Sequence, residues 1–132
     1  MKMYPRPARR HEQAQQIFLI VSSFVAHECS GFRKDTGIIT YGELAEKMGY
    51  DPRAGVTLSE ALGMVARFCE QNNLPYLNAM VVNAETGEPG DEVIWDEDMS
   101  IEKEREKIRE FDWFSLQPPS MKAFRSLKVE EN

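Results

Sequence analysis

Thr40-Tyr41-Gly42-Glu43 and Thr57-Leu58-Ser59-Glu60 are two stretches of one form, and how they are read decides the fold. In each, a threonine hydroxyl can accept the backbone N–H three residues on. The glutamate can reach back to the threonine N–H, which is the reciprocal pattern that opens an α-helix. The first box predicts a short helix from Tyr41 to Met48, with Leu44, Ala45 and Met48 inward and Gly49 ending it in the left-handed conformation. The second predicts a longer helix to Gln71, with Leu58, Ala61, Leu62, Val65, Phe68 and Cys69 as its buried stripe. Gly49 to Val56 lies between them as a long turn, giving the outline of a helix-turn-helix.

Upstream, Ala14, Ile17, Phe18, Val21, Phe24 and Val25 recur at helical spacing and predict a helix from about Pro7 to Cys29. Ser30 to Gly37 breaks it, and Ile38-Ile39-Thr40 reads as a brief strand. Downstream, Tyr76 to Asn83 is β-rich and Glu92 to Trp95 can pair with it antiparallel across the turn-forming Ala84 to Asp91. Ser100 is a good N-cap for a last helix to about Phe111, whose charges read as a solvated face, and Pro118-Pro119 bars further helix. The expectation is an α+β, winged-helix-like fold: a helix-turn-helix followed by a β-hairpin, with a long N-terminal helix and a C-terminal helix. It divides into a basic flexible arm (1–10), a single domain (11–114) and a peripheral tail (115–132).

Charge bounds the function. The 132 residues carry 16 Lys+Arg against 22 Asp+Glu, a net of −6, which argues against indiscriminate nucleic-acid binding. Residues 1–10 hold Lys2, Arg6, Arg9 and Arg10 with no acid, whereas 85–98 hold Glu85, Glu88, Asp91, Glu92, Asp96, Glu97 and Asp98 with no base. With only Cys29 and Cys69, no disulfide framework is expected, and with no long apolar run neither a signal peptide nor a membrane span is. The chain reads as cytoplasmic.

Gly37-Ile38-Ile39-Thr40-Tyr41-Gly42-Glu43-Leu44-Ala45, followed by Gly49, Pro52, Ala61-Leu62 and Met80-Val81-Val82, resembles the winged-helix DNA-binding domain of O6-alkylguanine-DNA alkyltransferases and alkyltransferase-like proteins. The resemblance covers roughly residues 15–95. A second resemblance, through Leu74-Pro75, Leu77, Ala79, Val81-Val82-Asn83 and Thr86 to Gly90, is to small proteins of phage and mobile elements. Where the alkyltransferase family has Pro-Cys-His-Arg, this chain has Leu77-Asn78-Ala79-Met80, so the nucleophile and its activating base are both missing. The resemblance implies the scaffold without alkyl transfer, and Arg53 is the only local substitute for the family's duplex-entering arginine.

Other chemistry is no better provided for. His11 and His27 do not share a ligand spacing, His27 and Cys29 diverge on a helix, and Cys69 falls on an apolar stripe. Asp96, Glu97 and Asp98 lack the alternating ligands of a calcium loop, and no glycine-rich phosphate cradle is present. The reading expects no enzyme, no metal and no cofactor.

Two functions follow. One is a non-catalytic module in DNA transactions that meets duplex DNA weakly or with a partner's help, through Arg6, Arg9, Arg10, Tyr41, Arg53, Ser59 and Arg67. The other is an acidic interaction module, an adaptor or inhibitor of a nucleic-acid enzyme, that docks a basic protein through Glu85, Glu88, Asp91, Glu92 and Trp95.

Overall fold

The computed structural model describes residues 2–5, 8–29, 36–90 and 100–127. It mixes helices with a small sheet. Helix α1 spans Arg10–Glu28, strand β1 Ile39–Thr40, α2 Tyr41–Lys47, α3 Ser59–Gln71, β2 Val81–Val82, α4 Ile101–Glu110 and α5 Met121–Arg125. Two 3-10 helices, Pro52–Leu58 and Leu77–Met80, lie before α3 and before β2.

The Thr40 box forms as expected: the Glu43 N–H donates to Thr40 Oγ1 at 3.1 Å and the Thr40 N–H to Glu43 Oε1 at 3.1 Å. Gly49, at φ +88°, follows the end of α2. Ser100 caps α4, accepting from the Lys103 N–H.

The Thr57 box does not form, because the segment before it coils tightly. Asp51 accepts the Arg53 N–H at 2.9 Å and Pro52 supplies a preset φ, so a 3-10 helix starts there instead of an open turn. Thr57 Oγ1 then donates backward to the Ala54 carbonyl at 2.7 Å and caps nothing ahead of it, and α3 begins at Ser59 behind Leu58. Gly55 makes this coil possible, since a Cβ there would stand 2.7 Å from the carbonyl carbon and oxygen of Tyr41.

The expected strand from Tyr76 to Asn83 is reduced to Val81–Val82. The four residues before it coil because Asn78 turns inward and donates its amide to the Leu62 carbonyl of α3, while Ala79 N–H bonds Tyr76 O at 3.0 Å. β2 pairs with β1, in parallel, with Ile39 opposite Val81 and Thr40 opposite Val82. The segment between them, through α2 and α3, is the long crossover that parallel strands require. The turn of the expected hairpin is present: Asn83 Oδ1 accepts the Glu85 N–H at 2.8 Å, Gly87 N–H bonds Asn83 O at 2.8 Å and Asn83 N–H bonds Glu88 O at 2.9 Å. The expected returning strand, Glu92 to Trp95, lies outside the described residues.

The core gathers on α1. Ala14, Ile17, Phe18, Val21 and Val25 are buried along its expected stripe. Arg10 meets Glu60 at the start of α1 and α3 and Phe18 meets Phe68 further along both, so these helices run side by side in the same direction. Phe18 also meets Trp113 and Phe124. Phe124 corrects the expectation of a peripheral tail: Ser120 caps α5, and Phe124 is 1% exposed with its ring 4.8 Å from Phe68. The basic arm is also less free than expected. Arg10 belongs to α1, and Tyr4 Oη donates to Gln15 Oε1 at 2.9 Å while Gln15 Nε2 donates to the Pro119 carbonyl at 3.1 Å.

Phe124→Ala is expected to destabilise the fold by about 3–5 kcal/mol through lost burial and a cavity. Phe114→Ala, at a residue 75% exposed, should change stability by no more than about 0.5 kcal/mol. Thermal unfolding of the two variants checks this, and equal melting temperatures would return residues 121–125 to the periphery.

Candidate functional site

Two of the cations expected to face nucleic acid, Arg10 and Arg53, are engaged with carboxylates. Arg10 Nε lies 2.6 Å from Glu60 Oε2 on the first turn of α3, and its Nη1 donates to Gln13 Oε1 at 3.0 Å. Arg53 grips its own cap residue, Nε to Asp51 Oδ1 at 3.0 Å and Nη2 to Oδ2 at 3.1 Å. The hydrogen bonds from the Arg53 side chain and backbone hold the Asp51 carboxyl below its ordinary range, and the same pairing raises Arg53. Both pairs are exposed, so each contributes little to stability.

Ser59 and Arg67 are exposed on α3, and Arg67 lies two turns beyond Glu60 on the same face. Arg9 is exposed at the N-cap of α1, where its backbone N–H donates to Glu12 Oε1 at 2.9 Å. Arg10 and Ser59 therefore lie at the first turn of α3 with Glu60, and Arg67 lies two turns further along. Tyr41 has a structural position. Its hydroxyl accepts the Gly90 N–H at 2.7 Å and its backbone is pressed by Gly55, which ties α2 to the first 3-10 helix and to the loop after β2. Of the expected partner-docking residues, Glu85 and Glu88 are exposed on the tight turn after β2. Arg6, Asp91, Glu92 and Trp95 lie outside the described residues, as do Asp96, Glu97 and Asp98.

A feature that sequence reasoning missed lies at the other end of α3. An open groove of about 590 Å³ runs between the end of α3, the 73–76 connection and α4, lined by Glu70, Leu74, Tyr76, Glu104, Glu110 and Phe111 among others. Asn73, at φ +55°, turns the chain out of α3 and into this wall. The α4 side was expected to be solvated, yet Glu104 and Arg105 are buried. Glu104 Oε1 accepts the Tyr76 N–H at 3.3 Å. Arg105 donates through Nε to the Ala79 carbonyl at 3.0 Å and through Nη1 to Glu102 at 3.1 Å, clamping α4 onto the second 3-10 helix. The signal was in the spacing. Ile101, Glu104, Arg105 and Ile108 occupy one helical stripe, and the polarity of its two middle members concealed it.

Cys69 also lines the groove, but its thiol is no nucleophile. Burial pushes it up to about 12, the Glu104 charge adds to the rise, and the backbone hydrogen bond with Leu77 only partly opposes it. Among the described residues, no group of three or more His, Cys, Asp or Glu side chains is placed to hold a metal ion, and no helix is long and apolar enough to cross a membrane.

Comparison with family models, with curated proteins and with solved structures returned no match to this chain.

Cys69 is expected to stay unmodified by iodoacetamide at pH 8 in the folded protein, while the half-buried Cys29 is alkylated first. Peptide mass mapping reads the order. Since a thiol raised by folding stays neutral until the pH passes its folded value, the burial of Cys69 should favour the fold fully below pH 9.0 and progressively less as the pH climbs towards about 12.

Proposed function

We propose that this chain is a non-catalytic interaction module that receives a basic protein partner on its acidic surface. The observation that carries this reading is the division of charge. Arg10, Arg53 and Arg105 each take a carboxylate within the fold, while Glu85 and Glu88 stand exposed on a turn set by the Asn83 side chain. Among the described residues, no ion pair engages either glutamate. Carboxylates presented on a defined turn attract and orient a positively charged partner.

The second reading is the winged-helix-like module that meets duplex DNA. What favours it is that α2 and α3 follow one another across the first 3-10 helix and that α3 exposes Ser59 and Arg67, with Arg10 paired to Glu60 on its first turn. Exposed ion pairs exchange readily, so phosphates can compete for Arg10 and Arg53. Glu60 on the same face opposes them. In this reading Glu60 is the brake, and binding is weak and steeply dependent on salt.

The two readings separate by titrating a lysine-rich peptide and a short DNA duplex against the same protein. For the interaction module, Glu85→Lys with Glu88→Lys should weaken the peptide about tenfold. The control of equal charge, Glu46→Lys with Glu106→Lys, should weaken it much less. Equal losses from both pairs would reduce the effect to bulk charge and remove the turn from the argument. For the DNA module, Glu60→Gln should tighten duplex binding several-fold at low salt, with the gain lost on adding Arg10→Ala. Unchanged duplex affinity in Glu60→Gln would count against that face.

A further inference from the structure

We infer that the groove between the end of α3 and α4 binds the arginine or lysine side chain of a partner polypeptide, with the cationic head against Glu104 and the alkyl stem along Phe111. This rests on the reading of the chain as a receiver of a basic protein and gives that reading a second contact site, away from the turn at 83–88.

Glu104 is 3% exposed, and a carboxylate withdrawn that far from water needs strong partners. It has one, the Tyr76 N–H at 3.3 Å, and among the described residues no hydrogen bond reaches its other oxygen. The carboxylate lies in the wall of an open groove and not in a closed core, so a visiting cation can supply what the fold does not. The surrounding charge has the matching sign: among the described lining residues Glu70, Glu104 and Glu110 face one cation, Lys107, a balance of two negative charges. Glu70 and Glu110 are exposed at the rim.

The apolar part of the lining suits a side chain with a stem. Phe111 presents a half-buried ring, the kind of surface on which guanidinium and ammonium groups settle when a carboxylate stands near. The Phe111 wall is held in advance. Its ring packs 4.4 Å from that of Trp113, and Trp113 Nε1 donates to the Ile108 carbonyl at 2.8 Å, so little ordering is left for binding to accomplish. Leu74 and Pro75 continue the apolar floor. At about 590 Å³ the groove is larger than one side chain needs, which favours a polypeptide with apolar residues flanking its cation over a free amine.

The test is a titration of the full ¹⁵N-labelled chain, followed by amide chemical shifts, with an acetylated and amidated Gly-Leu-Arg-Leu-Gly peptide. Shifts are expected at residues 70–76, Tyr76 foremost, and at 104–111. Replacing the peptide's arginine by citrulline, its neutral isostere, should weaken binding about tenfold or more, as should Glu104→Gln. The exposed rim variant Glu110→Lys should weaken it by a smaller factor, and it decides the matter together with citrulline if Glu104→Gln does not fold. Glu85→Lys with Glu88→Lys should leave the groove shifts in place. If those turn substitutions abolish the response, or the shifts appear elsewhere, the groove is not the site although the interaction-module reading stands. Groove shifts that persist while the turn substitutions leave the lysine-rich peptide unaffected would keep this site and remove the turn. Citrulline binding as well as arginine would overturn the cation pocket, and free arginine amide binding as tightly as the peptide would overturn the polypeptide occupant.

Discussion

Phe18 is the point on which the structure closes. Its ring meets Phe68 of α3 edge-on at 5.3 Å, Trp113 beyond α4 at 6.1 Å and Phe124 of α5 at 6.1 Å, so one side chain of α1 joins three segments far apart in the chain. Each large ring buried in this way favours the fold by about 1.5–3 kcal/mol, and edge-on pairing adds about 0.5–1.5 kcal/mol per contact. With Phe18 seated, α1 and α3 lie alongside one another, α5 covers their aromatic end, and Trp113 sets the orientation of the Phe111 wall.

Two polar clamps then fix what the aromatic cluster leaves loose. Asn78 donates to the Leu62 carbonyl and Arg105 to the neighbouring Ala79 carbonyl, so the coil before β2 is held from α3 on one side and from α4 on the other. This is an unusual use of charge, since Arg105 Nη2 and Asn78 Oδ1 remain buried without hydrogen bonds. Polar groups withdrawn from water at that cost define one packing arrangement more sharply than they stabilise it. The coil they hold leads directly into β2, which pairs with β1.

Much of the local structure was legible in the residues. The Thr40 box, the Gly49 stop and the Ser100 cap form because every participating atom lies within a few residues of its partner, and no distant group competes for them. The α1 stripe was legible for a similar reason, since its spacing shows one face whatever that face touches. The Thr57 box has the same letters as the Thr40 box and still failed. Asp51, Pro52 and the contact between Gly55 and Tyr41 had already coiled the chain, and the threonine hydroxyl turned back to Ala54. The burial of Glu104, Arg105 and Phe124 is not legible locally, because polar side chains and a segment after Pro118-Pro119 carry the same signature as surface. Their burial depends on Tyr76, Ala79 and Phe68, none of which is near in sequence.

By itself the amino-acid sequence determined the helical stripes, the caps whose partners are local, and the separation of a basic beginning from an acidic stretch. Only the tertiary structure decided that Val81–Val82 runs parallel to Ile39–Thr40, that Arg10 and Arg53 are already paired, and that a buried carboxylate looks into an open groove. The physical reason is range. A cap or a stripe is set by energies within a turn or two of helix, whereas a register, an ion pair across helices or a groove exists only after the whole core has brought remote residues within hydrogen-bonding distance.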